Sequence, residues 1–143
     1  MKRNFLVTAV LCLSCAACGQ KIQEKEYLKI MTTQKQKNMD LSKISDDMVK
    51  QAIQALQDGD KSWYGYFTEN PLMTDDGNPV DFQSFFSNAL GTEKFLNIDK
   101  VENEGKDIYG SFQAGKWGTF RTYFKFHKNN EGKFDRLDIG QAK

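Results

Sequence analysis

Residues 117–139 read W-G-T-F-R-T-Y-F-K-F-H-K-N-N-E-G-K-F-D-R-L-D-I, and this stretch decides the fold. Its first half alternates. Gly118, Phe120, Thr122, Phe124 and Phe126 fall on one side, while Trp117, Thr119, Arg121, Tyr123, Lys125 and His127 fall on the other. Because successive side chains of a strand point to opposite faces, this pattern predicts a long strand with one apolar face. Asn129-Asn130-Glu131-Gly132 supplies turn residues, and Lys133 to Ile139 returns as a partner strand. An apolar sheet face needs a cover, and the earlier half of the chain offers amphipathic helices, so the expected class is α+β.

Working back from that strand, Lys94 to Val101, Asp107 to Ala114 and a Gly115-Lys116 turn complete a predicted four-strand antiparallel meander. Before it, Asp81 is placed to cap a helix carrying Phe82, Phe85, Phe86, Ala89 and Leu90 on one face, with Gly91 as its stop. Thr74-Asp75-Asp76-Gly77-Asn78-Pro79 is a dense turn signature. Asp60 caps a second short helix containing Trp63 and Phe67, which Asn70-Pro71 is expected to end. The first helix follows Ser45, carries Asp46 and Asp47 against the positive end of its dipole, and repeats Val49, Ala52, Ile53 and Leu56 at helical spacing up to Gly59.

The first eighteen residues have another character. Met1-Lys2-Arg3-Asn4 is cationic, Phe5 to Leu13 is an apolar run too short to span a bilayer, and small residues follow, which is the make-up of a secretory signal. All three cysteines, Cys12, Cys15 and Cys18, lie here, so the remaining residues can form neither a disulfide framework nor a cysteine metal site. The end of this leader, L-S-C-A-A-C-G-Q, resembles the lipobox of bacterial lipoproteins, in which small residues precede a cysteine that is lipidated and becomes the mature N-terminus. Cys18 is the better match and Cys15, preceded by Ser14, the alternative. The resemblance implies a signal peptide over residues 1–17, acyl chains such as palmitate on the cysteine, and a membrane anchor. Gly19 rather than Asp follows the cysteine, which favours the outer membrane. Residues 18–43 are polar and rich in Lys and Gln, as expected of a tether, and leave residues 44–143 as one domain.

Charge narrows the function classes. The net formal charge is +1, but residues 44–143 hold twelve basic against sixteen acidic side chains. Without a basic stripe such a domain is a poor nucleic-acid binder. A single histidine, His127, and scattered carboxylates make no metal-ligand cluster, and neither a phosphate-binding glycine loop nor a nucleophile elbow occurs. No cofactor is expected.

Two stretches, V-K-Q-A-I-Q-A-L-Q-D-G-D-K-S-W-Y-G-Y-F at 49–67 and E-G-K-F-D-R-L-D-I at 131–139, resemble the nuclear transport factor two-like superfamily, which includes SnoaL-like cyclases, ketosteroid isomerases and scytalone dehydratase. The resemblance covers residues 45 to 141. It implies a cone, a curved antiparallel sheet wrapped around about three N-terminal helices, with an apolar pocket at the wide end. Fold does not fix function, so the catalytic positions are carried over one by one. The ketosteroid isomerases use a Tyr on the first helix, which falls here at Ala52, and a protonated Asp on a late strand, which falls near Thr122 or Tyr123. Their base, an Asp in the hairpin after the second helix, has a counterpart in Asp75. One base with no electrophilic partner is not a site, and an Asp in a turn is expected to serve local hydrogen bonds. Scytalone dehydratase-like chemistry needs His and Asp together, and His127 is expected to be solvated, without a partner.

These residues therefore point to a lipid-anchored, cell-envelope domain that binds a small apolar ligand or a protein without catalysis. An isomerase, dehydratase or cyclase using Asp75, or a scaffolding homodimer, are the alternatives. The expected core and pocket lining is Trp63, Phe67, Phe85, Phe86, Phe112, Phe120 and Phe124. The opposite face, with Trp117, Arg121 and Tyr123, is unusually aromatic for a solvated surface and is the candidate dimer interface.

Overall fold

The computed structural model describes residues 39–143, so the leader, Cys15, Cys18 and most of the polar segment lie outside the described residues. Helix α1 (Asp47–Asp58) starts one residue later than Ser45 would place it, because Asp46 is its cap: Asp46 Oδ1 accepts from the Val49 amide at 3.0 Å. The same carboxylate is paired with Lys128 Nζ at 2.6 Å, which ties the start of α1 to the sheet. Val49, Ala52, Ile53 and Leu56 are fully buried. Gly59 ends the helix at φ 66°, and a Cβ there would lie 2.7 Å from Gly91 Cα. Glycine is thus required twice over at that position, once for the left-handed turn and once for the close approach of the two chain segments.

Asp60 caps a 3₁₀ turn (Lys61–Tyr66) through the Ser62 amide, and the chain then extends into strand β1 (Phe67–Asp75). The expected second helix is therefore one 3₁₀ turn, and Phe67 to Pro71 belong to a strand. Pro71 sits where β1 loses register between Phe67 and Leu72, the kind of irregularity in which a residue without an amide hydrogen is tolerated. Strand β2 (Asn78–Pro79) folds back on β1 through Asp76 and Gly77, both at positive φ (48° and 82°). Helix α2 (Phe82–Ala89) is capped by Asp81 through the Ser84 amide at 2.7 Å. The predicted strand at 94–101 is split into β3 (Lys94–Phe95) and β4 (Lys100–Glu102), both paired with β5 (Asp107–Gln113). After a 3₁₀ turn (Gly115–Trp117) come β6 (Thr119–Lys128) and β7 (Phe134–Gln141).

The result is the expected α+β cone, a curved seven-stranded sheet in the order β2-β1-β7-β6-β5-β3, with β4 also on β5. Every pairing is antiparallel except β1 with β7, which run parallel. Ile108, Phe124, Phe126, Leu137 and Ile139 point inward, as the alternation requires, and pack with α1, α2 and the 3₁₀ turn in one core. Trp63 lies within it, with ring centroids 4.7 Å from Phe86 and 4.9 Å from Phe67. The packed region reaches back to Met39 and Leu41, which lie against the core beside the buried Ile44.

Candidate functional site

A cavity of about 260 Å³ opens on the concave side of the sheet, between β5, β6, β7, the end of β1 and the segments around α2. Its apolar wall is Phe85, Phe112, Phe120, Phe124 and Ile139, so four of the seven expected lining residues meet there. The other three, Trp63, Phe67 and Phe86, are closed core. Trp117, expected on the outer face, also lines the cavity. It lies in the 3₁₀ turn rather than in β6, and Gly118 at φ 100° breaks the strand alternation before Thr119. Trp117 (72% exposed) and Phe120 (36%) leave apolar rings open to solvent at the rim.

The polar members of the wall are the informative ones. Asp75 shares the inward parity of the buried Met73 at the end of β1 and lines the cavity. Its neighbour Asp76 takes the local structural role: the Asp76 amide donates to Ile139 O, and its Oδ1 accepts from the Gln141 amide at 2.7 Å. Glu93 enters from the other side. Its amide donates to Ala89 O at 2.8 Å in the turn that closes α2. Two residues later Phe95 is clamped by the Gln57 side-chain amide, which accepts from Phe95 N at 2.8 Å and donates to Phe95 O at 2.9 Å. Glu93 is therefore held between two fixed points, a consequence of tertiary contacts that no local pattern announces. Of the two late-strand positions, Tyr123 does not line the cavity, and Thr122 does, with a hydroxyl oxygen shut off from water and without a hydrogen-bond partner. Ala52, at the first-helix position, is buried in the core.

Burial, then the charge of Asp76, pushes the Asp75 carboxyl above its usual range. Burial, then the charge of Asp75, does the same to Glu93. Among the described residues neither carboxylate receives a hydrogen bond or an ion pair, and no Lys, Arg or His lines the cavity. A carboxyl whose folded pKa is raised contributes stability below its unfolded pKa and loses it as pH rises through the folded value. Asp75→Asn and Glu93→Gln should accordingly raise the melting temperature at pH 7, and the gain should vanish below about pH 4, where wild-type side chains are protonated in both states. Calorimetric melts at the two pH values check this; a loss of stability at pH 7 would contradict the account.

The outer face carries a separate set of contacts. Arg121 is engaged within its own chain, bidentate to Asp99 (2.9 and 3.1 Å) and donating to Lys143 O at 2.9 Å. Tyr123 lies opposite Gly140, where a Cβ would come within 2.6 Å of the Tyr123 hydroxyl. His127, expected to lack a partner, has one: Nε2 is 2.8 Å from Asp138 Oδ2. Asp138 also accepts from Thr74 Oγ1 and Arg136 Nε, and although burial works against its charge, these partners hold its carboxyl below the usual range. Neither His127 nor Asp138 lines the cavity, so this His–Asp pair is separated from anything bound there. Among the described residues no group of three His, Cys, Asp or Glu is placed to hold a metal ion.

No family model matches the sequence, and no curated protein matches it. Solved structures do. A SnoaL-like protein of unknown function from Burkholderia thailandensis is similar with a TM-score of 0.51 and 12% identity over 70% of this chain and 98% of that one. A protein with a cystatin-like fold from Silicibacter pomeroyi gives 0.53 and 11%, over 68% and 74%. The orange carotenoid protein of Anabaena (Nostoc), solved binding canthaxanthin, gives 0.53 and 16%, over 71% of this chain and 38% of that one. At such identities the likeness shows the fold alone. The described domain has the cone fold of the SnoaL-like, nuclear transport factor two-like proteins.

Proposed function

We propose that this domain is a non-catalytic receptor for a small, largely apolar molecule held in the cone cavity, and that a lipid on Cys18, or on Cys15, tethers it to the cell envelope. The observation that carries the first half is the cavity itself, walled by phenylalanines and open at a rim where Trp117 and Phe120 are exposed without a covering segment among the described residues. Small-ligand sites combine such apolar walls with a few placed polar groups, and at 260 Å³ this one suits ligands below the usual range of about 300–1,000 Å³ for drug-sized sites. The second half is supported by the leader sequence alone.

A compact neutral aromatic, 2-naphthylmethanol, titrated calorimetrically into the full-length protein, tests the pocket. Binding is expected in the wild type and in Leu72→Trp, a change at an exposed position of β1, and should be lost in Thr122→Trp, which fills the cavity. Binding that survives Thr122→Trp would place the ligand elsewhere. The convergence of Glu93 with Asp75 favours one second reading, an isomerase- or cyclase-like site in which Asp75 takes a proton and Glu93 gives one. It expects Asp75-dependent deuterium exchange at the methyl group of 2-acetylnaphthalene. Exchange no faster than in Asp75→Asn disposes of it.

A further inference from the structure

The cavity has a charge signature that an apolar pocket does not need. Two carboxylates, Asp75 and Glu93, enter it from opposite sides and, among the described residues, neither is neutralised. The third acid of the wall is committed, since Asp76 Oδ1 holds the Gln141 amide. Uncompensated carboxylates beside apolar rings are costly, and a fold that only wanted an apolar hole would carry apolar or amide side chains at these positions. The rings are suited to the same task as the acids, because aromatic faces attract cations through their quadrupole. Trp117 shows this at the rim, where Lys116 Nζ lies 5.2 Å from its ring centroid while staying outside the lining.

Resting on the pocket reading above, we infer that the ligand is an organic cation, an aryl or alkyl ammonium compound whose apolar body packs on Phe112, Phe120 and Phe124 and whose charged group sits between Asp75 and Glu93. A free carboxylic acid of the same shape is rejected, since it would add a third uncompensated negative charge to the same cavity. No covalent step is involved, and the ligand leaves as it entered.

The test uses the full-length protein and three probes that share one ring system: 2-naphthylmethylammonium, 2-naphthylmethanol and 2-naphthoate, each titrated calorimetrically at pH 7 and low salt. The ammonium probe is expected to bind at least tenfold more tightly than the alcohol, and the carboxylate not measurably. In the Asp75→Asn/Glu93→Gln variant the preference for the ammonium over the alcohol should disappear, and a melting temperature at pH 7 no lower than that of the wild type shows that the variant is folded. Equal affinity for ammonium and alcohol in the wild type overturns the charge assignment and leaves the pocket reading standing. A preference that persists in the double variant overturns the role of these two carboxylates. Failure of all three probes to bind overturns both readings together.

Discussion

Phe124→Ala is expected to lower the unfolding free energy by about 3–5 kcal/mol, the usual cost of truncating a buried phenylalanine. Phe124 is 1% exposed in the middle of β6, and its ring meets Phe95 at 4.9 Å and Phe112 at 5.2 Å, centroid to centroid. Those two rings come from β3 and β5, so the alanine would leave a void shared by three strands that cannot close without moving the sheet. Since a domain of this size has only about 5–15 kcal/mol of total stability, the variant should be partly unfolded on modest warming. Tyr123→Ala, one residue away on the outer face, should cost about 1 kcal/mol. Urea melts of the two variants decide the matter; equal losses would contradict the inward facing of Phe124 and the outward facing of Tyr123.

The second large effect concerns place rather than stability. Cys18→Ala should move the protein from the membrane fraction to the soluble fraction and abolish acyl labelling. Stable anchoring takes more than one hydrocarbon chain, and the loss of all of them removes several kilocalories per mole at about 0.8 kcal/mol per buried methylene. Among the described residues no helix is long and apolar enough to take over by crossing the bilayer. If labelling and membrane retention persist in Cys18→Ala and disappear in Cys15→Ala, the lipidated cysteine is Cys15.

What the sequence reveals of this fold is what rests on neighbours along the chain. Asp60 and Asp81 cap as read because capping is settled within three residues, and the alternation of Phe120, Thr122, Phe124 and Phe126 survives intact because a strand repeats every two. Pro71 misleads for the same reason. A proline after asparagine reads as a helix stop, whereas β1 absorbs it in an irregularity that only its pairing with β7 defines. Trp117 is assigned to the wrong side by counting parity through Gly118, whose left-handed φ resets the count. In the cavity the four phenylalanines are legible, Phe85 from helical spacing and the others from strand parity, whereas Asp75, expected to serve local hydrogen bonds, leaves that role to Asp76 and lines the wall because β1 runs on as far as the turn. Glu93 is not legible, because its direction is fixed by the closing turn of α2 and by the grip of Gln57 on Phe95, 38 positions along the chain.

The parallel pairing of β1 with β7 sets the order in which the molecule can be made. Thr74 on β1 donates to Asp138 on β7, 64 positions later, so β1 stays without that long neighbour until β7 has been made. Such distant pairing slows closure, because the entropy of a long loop is spent before any contact rewards it. A chain ending before Phe134 would have α1, α2 and a β1 paired only with the short β2, with no way to shut the cone. The cone is thus held open by its own topology until β7 is available to pair with β1, and its closure is a late event in folding.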